Sequence, residues 1–407
     1  MSRSRVTFFY LPLLCEITAI YNLVLTRYGI SHLYLIVYAI SLSALLFDNS
    51  KKRNVNNAVL PYVYIVVVLT LFHLILSAKP FVTLMGAGTY LMCILYWFTY
   101  FKHSDGTYFE DIIKALRIHV IVVGLLGIVQ YFLSPTLWGV IIPSDEGMME
   151  WAANGDYSEY SLYFRSSSIL TSPQNFGLFM ALMFALIFDR SNKDWIDYST
   201  IIISVTSGAF SGGKSFYLIV FLFLLFYFLK SKNPRVKIGT IIFAISLVFV
   251  IVKWGEDFHF ISRILDFDKM VGDEKDGRLS VYSYFLRDLQ LFGAGPGVIQ
   301  NLAGNNLTGR VAESYLVQMI YELGPLAIIC FISFYVLSFF RYKQNRKILF
   351  FMLLSMGYVH CFNGFIFFFF WAFLFGKQCN NTIKNDYSLS SGGNNGRRNG
   401  NKIRPSY

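Results

Sequence analysis

Four cations and two carboxylates stand where their type and setting suit polar chemistry in an otherwise apolar chain: Arg165, Lys214, Arg278 and Arg287, with Asp288 and Glu313. Arg165 opens the string Arg-Ser-Ser-Ser-Ile-Leu-Thr-Ser-Pro-Gln-Asn-Phe-Gly, at the edge of an apolar run that carries Gln174 and Asn175 inside it. Polar side chains at that depth point to a cavity rather than a lipid face; an Arg snorkelling to the interface is the structural alternative. Lys214 belongs to Gly-Ala-Phe-Ser-Gly-Gly-Lys-Ser, from Gly208 to Ser215, which matches the phosphate-loop pattern GxxxxGK[ST] letter for letter. That pattern works when a buried strand precedes it and a soluble helix follows. Apolar runs flank it here, so ATP binding is set aside. Two readings remain. One is a tight Gly-rich turn between spans. The other is a cation beside the exposed N–H groups of a helix start, both of which attract an anion.

The stretch from Asp276 to Gly297 is the most informative. Leu279, Tyr282, Phe285, Leu286 and Leu289 recur at helical spacing and form one apolar stripe. Arg278, Arg287 and Asp288 fall mostly off it. Gly293 supplies a helix stop, and Gly295-Pro296-Gly297 a tight turn. The segment reads as an amphipathic helix lying on a membrane surface, with basic residues near its ends. Further on, Glu313 precedes an apolar run. Burial there would raise its pKa and suit it to proton transfer. Glu322 falls inside that run beside Gly324-Pro325, a pair that kinks a helix. Either acid is equally well read as a cap or a packed side chain. His360 and Asn363 interrupt the last apolar run and read as a buried hydrogen-bonded pair. The six histidines are scattered, and no CxxC occurs, so no metal site is expected.

The elements that position these groups follow from composition. Of 407 residues, 55% are hydrophobic and 14% charged, with 41 Phe. Soluble domains carry about 25% charged residues, so a soluble enzyme is excluded. Disorder as the overall state is excluded by the aromatic and branched apolar content. The net charge of +11 is read as loop charge that orients a membrane protein, not as a nucleic-acid footprint. No basic helix or RNA-binding pattern is present. The five cysteines imply no disulfide framework.

Apolar runs occur at about 6–26, 29–47, 58–77, 81–101, 117–137, 169–189, 196–210, 215–229, 238–254, 314–340 and 348–375. The first follows a basic start but is too long for a signal peptide and has no small-residue cleavage site. The expected fold is all-α: a polytopic integral membrane protein with about 11–12 transmembrane helices. The segment about 1–376 is one membrane domain, and 377–407 a basic, disordered tail. Lys51-Lys52-Arg53, Arg190/Lys193, Lys230 to Lys237 and Arg341 to Lys347 fall on one side when spans are counted from a cytoplasmic start. A cytoplasmic tail needs an even count, which favours twelve spans. Two long polar loops, about 138–168 and 255–313, then lie outside, with the turn bearing Lys214. The amphipathic helix belongs to the second loop.

Three pieces together resemble the O-antigen ligase/polymerase superfamily of bacterial polysaccharide assembly. They are Arg165…Ser172-Pro173-Gln174-Asn175, the Ser211-Gly-Gly-Lys214 turn, and Gly277-Arg278…Phe292-Gly-Ala-Gly-Pro-Gly297…Glu313-Ser-Tyr-Leu…Glu322-Leu-Gly324. The ordered set covers about residues 160–330. The resemblance implies a glycosyltransferase of the bacterial inner membrane that moves glycan from an undecaprenyl-diphosphate carrier, on the external (periplasmic) face. In the ligase branch a His-Asn pair stands where this chain has Glu313-Ser314. Its absence points to the Wzy-type polymerase branch, whose acceptor is another lipid-linked repeat unit. The family turn often reads Ser-Arg; Lys214 keeps the charge without the bidentate fork. On this reading Arg165, Lys214, Arg278 and Arg287 hold the diphosphate, whose departure is eased by cations, with no metal, nucleotide or other cofactor. Glu313 is the base for the acceptor hydroxyl, with Asp288 second. Trp151, Tyr157 and Tyr160 are read as an interfacial belt or as sugar-stacking rings. The implied partners are the lipid-linked oligosaccharide and the chain-length regulator and flippase of the same pathway, with no nucleic acid.

Two other readings compete. A ligase would use the same chemistry on a lipid A-core acceptor. A transporter of lipid-linked oligosaccharide or a small anion would carry broken helices with charge at midplane; here the charged candidates sit at the external edge.

Overall fold

The computed structural model describes residues 57–77, 79–100, 108–133, 173–190, 192–235, 237–242, 278–299 and 314–357, with single positions at 166, 168, 170, 245, 246, 367, 370 and 371. Among the described residues the regular structure is helix, and no strand occurs. In chain order the main helices are α1 (Leu60–Leu76), α2 (Pro80–Tyr100), α3 (Tyr108–Leu133), α4 (Pro173–Phe188), α5 (Trp195–Phe210), α6 (Lys214–Leu229), α7 (Arg278–Arg287), α8 (Tyr315–Arg341) and α9 (Arg346–Met356). Three described segments are long and apolar enough to cross a membrane: Asn57–Leu76, Ile113–Phe132 and Tyr315–Arg341. Pro173–Phe188 and Lys214–Leu229 are shorter apolar helices.

The helix surfaces suit such a setting. Ile75 is 84% exposed and Tyr64 66%, with Val68, Leu71, Leu76, Phe132, Ile202 and Phe340 also exposed. So much exposed apolar surface fits contact with hydrocarbon rather than water. Hydroxyls within the helices turn back on their own backbone. Thr70 Oγ1 donates to Val66 O at 2.6 Å, Ser207 Oγ to Ile203 O at 2.6 Å, and Ser355 Oγ to Phe351 O at 2.6 Å. These three donors are thereby satisfied within an apolar setting.

Small residues bring helices close. A Cβ on Gly124 of α3 would lie 2.4 Å from Ile203 of α5, and one on Gly127 would lie 2.3 Å from the Phe176 ring of α4. The described part of α3 begins nine residues before the apolar run read from the sequence (117−108). At the start of that run the helix is tied by charge. Arg117, 8% exposed at its side chain, reaches Asp194 and Asp197 at 2.8 Å each. Asp194 also caps α5, accepting from Asp197 N at 2.8 Å while Asp197 Oδ2 accepts from Asp194 N. Those contacts hold the Asp194 carboxyl below its usual range, first through the Asp197 N–H and then through Arg117.

The pairing sorts the helix ends. Arg117 and Asp194 put the starts of α3 and α5 together, and Tyr131 stacks on Phe210 at 4.1 Å at their other ends. Lys347 pairs with Asp189, so α9 starts where α4 ends. Ser314 Oγ donates to Met356 O at 3.1 Å, so α8 starts where α9 ends. Tyr62, early in α1, packs on Phe331 and Phe334, late in α8. One end of the bundle therefore collects the 211–213 turn, the starts of α4 and α8 and the end of α1. The other collects the basic residues Arg190, Lys193, Arg346 and Lys347, together with the Arg117 cluster.

Candidate functional site

The organising feature is a helix break matched by a glycine loop. Gly324 of α8 has φ 80° and ψ 171°, and Pro325 follows. Pro325 has no N–H to give the carbonyl four residues back, at Tyr321. That carbonyl instead accepts from Ala294 N at 2.8 Å, and the Glu322 carbonyl accepts from Gly295 N at 3.0 Å. The loop from Gln290 to Ile299 thus takes up backbone acceptors that the break releases. The kink read from Gly324-Pro325 is observed, and its partner is the Gly-Ala-Gly-Pro-Gly segment. Only glycine fits the closest approach: Gly293 has φ 73°, and a Cβ there would lie 2.3 Å from Glu322 O.

Glu322 fastens the same loop with its side chain. It is fully buried. Tyr90 of α2 donates its hydroxyl to Glu322 Oε2 at 2.8 Å, and Ile299 N donates to Oε1 at 2.9 Å. Of the two roles the sequence left open for Glu322, the geometry is that of a packed, positioning acid. On the other flank, Gly86 of α2 meets the loop backbone, where a Cβ would come within 2.1 Å of Gly297 N. Gly86→Ala should therefore push α2 and the loop apart. A destabilisation of about 1–3 kcal/mol is expected from such overpacking, read in thermal unfolding of the detergent-solubilised protein.

α7 leads into this loop and docks on α8. Phe285 is buried, 4.9 Å from the Tyr321 ring and packed with Ile299. The buried part of the expected stripe is narrower than the sequence pattern. Tyr282 is half-buried, while Leu286 and Leu289 are exposed, as are Tyr284, Leu291 and Phe292. Arg287 and Asp288 are exposed at the end of the helix. Arg278 is the first residue of α7, and its side chain lies outside the described residues.

The Lys214 turn joins two helices, α5 and α6, so the strand that a phosphate-binding loop requires is not there. Ser211 Oγ donates to Gly208 O at 2.6 Å and accepts from Gly213 N at 3.1 Å; Gly212 has φ 55°. Gly213 is the N-cap of α6 and Lys214 its first residue, partly buried. The turn sits against α4, where a Cβ on Gly177 would lie 2.5 Å from Ser211 Oγ.

The segment that follows Arg165 is bound to this same corner. Ser166 N donates to Phe210 O at 3.0 Å, and Ser166 Oγ bonds Gly127 O at 2.7 Å and Gln130 Oε1 at 2.9 Å. Ser168, at φ 51°, donates its N–H to Gln130 Oε1 at 2.8 Å and its hydroxyl to Val123 O at 2.6 Å. The residue next to Arg165 in sequence is therefore pinned four residues before Lys214.

Arg165 and Glu313 themselves lie outside the described residues, as do Trp151, Tyr157, Tyr160, His360 and Asn363. Ser314, next to Glu313, caps α8 by accepting from Val317 N at 3.2 Å. Sequence reasoning missed Tyr90, Gln130, Ser166, Ser168 and the Arg117 cluster. A buried Gln inside an apolar run was a signal for Gln130, and the Asp194-Trp-Ile-Asp197 string at the head of the 196–210 run was one for the cap. Among the described residues no cluster of three His, Cys, Asp or Glu could hold a metal. No protein-family model matches the chain, and no curated protein matches it.

Proposed function

We propose that the chain is a polymerase of a bacterial surface polysaccharide, an O-antigen or a capsule. It transfers glycan from an undecaprenyl-diphosphate carrier to a lipid-linked repeat unit on the external face of the inner membrane. The fold in this reading is the full set of 11–12 spans, with the basic helix ends cytoplasmic and α7 lying in the outer interface. The observation that carries the reading is the Ser166 N to Phe210 O bond, which ties the Arg165 segment to the Lys214 turn at one end of the bundle. The glycine loop, locked into the break of α8, follows directly on α7, which supports bringing Arg278 and Arg287 to that end in this reading.

In mechanism, Arg165, Lys214, Arg278 and Arg287 neutralise the diphosphate as charge builds on it, and the glycosyl bond breaks toward the carrier. Glu313 takes the proton of the acceptor hydroxyl, with Asp288 as the second choice. Lys214 acts as a point charge, so Lys214→Arg should retain chain growth while Lys214→Ala shortens or stops it. The measurement is glycan ladder length in cells; loss in both variants would assign Lys214 to packing instead.

A deletion strain tests the class. Single repeat units on the surface are expected of a missing polymerase. A complete undecaprenyl-linked chain that never reaches its acceptor would show a ligase. No external repeat unit at all would show a transporter.

A further inference from the structure

A hollow of about 470 Å³ opens beside the glycine loop, between the end of α1 and the start of α2. Its size falls within the range of small-ligand sites, roughly 300–1,000 Å³. Its polar lining comes from His73, Ser77, Lys79, Thr83 and Gln290. Its apolar lining includes Phe72, Leu76, Leu291 and Phe292, of which Leu76 is 65% exposed and Leu291 64%. Lys79 is a cation, and among the described lining residues there is no carboxylate. His73 Nε2 bonds Phe292 O at 2.9 Å and so fixes the loop as the floor of the hollow. The N–H groups of Gly293, Ala294 and Gly295 are engaged by Gln290 O, Tyr321 O and Glu322 O. An anion here is therefore gripped by Lys79 and the neighbouring polar side chains, not by a backbone nest.

A hollow that joins a cation and polar side chains to exposed apolar ones is the complement of a phosphorylated lipid, with head and chain each matched. The loop that floors the hollow continues from α7, whose first residue is Arg278. A polymerase brings two lipid-linked units together, and the cations assigned above serve one of them. We propose that the hollow at Lys79 and His73 is the acceptor's berth, taking the isoprenoid diphosphate of the second repeat unit with its chain along Leu76, Leu291 and Phe292. The acceptor assignment rests on the polymerase reading.

The test uses the full-length protein in nanodiscs of zwitterionic phosphatidylcholine, titrated with geranylgeranyl diphosphate. Wild type should bind two equivalents. In Lys79→Glu one equivalent should weaken by at least about tenfold, the loss of one charge-assisted contact. Lys79→Arg should bind both. Lys79→Gln serves the same purpose as Lys79→Glu should the charge reversal prevent accumulation. Two equivalents bound as in wild type by both charge-removing variants would overturn the proposal. So would a Lys79-dependent equivalent that inorganic diphosphate fills as tightly, or that phosphatidylglycerol fills as well as the isoprenoid. Arg278→Ala separates the two ideas: it should lose the other equivalent and keep the Lys79-dependent one. If Arg278→Ala keeps both while Lys79→Glu loses one, the donor assignment fails and the hollow stands.

Discussion

Replacing Glu322 with Ala is expected to uncouple the glycine loop from α8 and to stop chain growth. The substitution removes the acceptor of two buried donors, the Tyr90 hydroxyl and Ile299 N. Each buried donor left without a partner costs about 1–3 kcal/mol, and the cavity adds to that. The two donors alone give about 2–6 kcal/mol, a large share of a typical stability of about 5–15 kcal/mol. Glu322→Gln keeps the shape and one carbonyl acceptor, and should lose only about 1 kcal/mol. Thermal unfolding in detergent reads the first effect and glycan length the second. Equal stability of Glu322→Ala and wild type would remove Glu322 as the loop's anchor. A stable Glu322→Gln without activity would instead point to a chemical role for the carboxylate.

Arg117→Ala carries the second large effect. Asp197 is 1% exposed and has Arg117 at 2.8 Å, with Arg190 farther at 3.6 Å. Removing one partner of a buried ion pair typically costs about 3–5 kcal/mol, because the other charge stays buried. The value expected here is about 3 kcal/mol, since Arg190 still faces Asp197. Asp197→Asn made together with Arg117→Ala should recover part of the loss in a double-mutant cycle. Additive losses would show that the pair contributes nothing specific. The cluster also has a pH signature. The Asp194 carboxyl is depressed in the fold, so its contribution is complete above the unfolded carboxyl pKa of about 3.9. It fades as pH falls below that value through the lower folded pKa. Asp194→Asn should flatten this acid-side slope in the unfolding profile.

How much of this was legible in the sequence depends on the range of the contact. The break at Gly324-Pro325 and the turn at Gly295-Pro296-Gly297 were readable, because each is dictated by local backbone chemistry. That they are two halves of one joint was not, because the bonds that join them cross from 294 and 295 to 321 and 322. Glu322 stayed ambiguous for the same reason, since its Tyr90 partner is 232 residues away. The helices α4, α5, α6 and α8 follow their apolar runs to within a few residues. The Arg117 pairing at the start of the α3 run was not legible, because its acids lie 77 and 80 residues later. The period of α7 marked one apolar stripe but not which part of it packs: Phe285 is buried against α8, while Leu286 and Leu289 are exposed. At the Lys214 turn a letter pattern for nucleotide binding turned out to join two helices, so the flanking elements rather than the letters decide its chemistry.

In the proposed polymerase, cations from separate stretches meet at the outer leaflet to hold an isoprenoid diphosphate. The most direct measurement is glycan length in cells carrying Arg165→Ala or Arg278→Ala, with the protein quantified in the membrane fraction. Each variant is expected to accumulate normally while chain growth is abolished, leaving single repeat units on the surface. Full-length glycan in both variants would contradict the proposal.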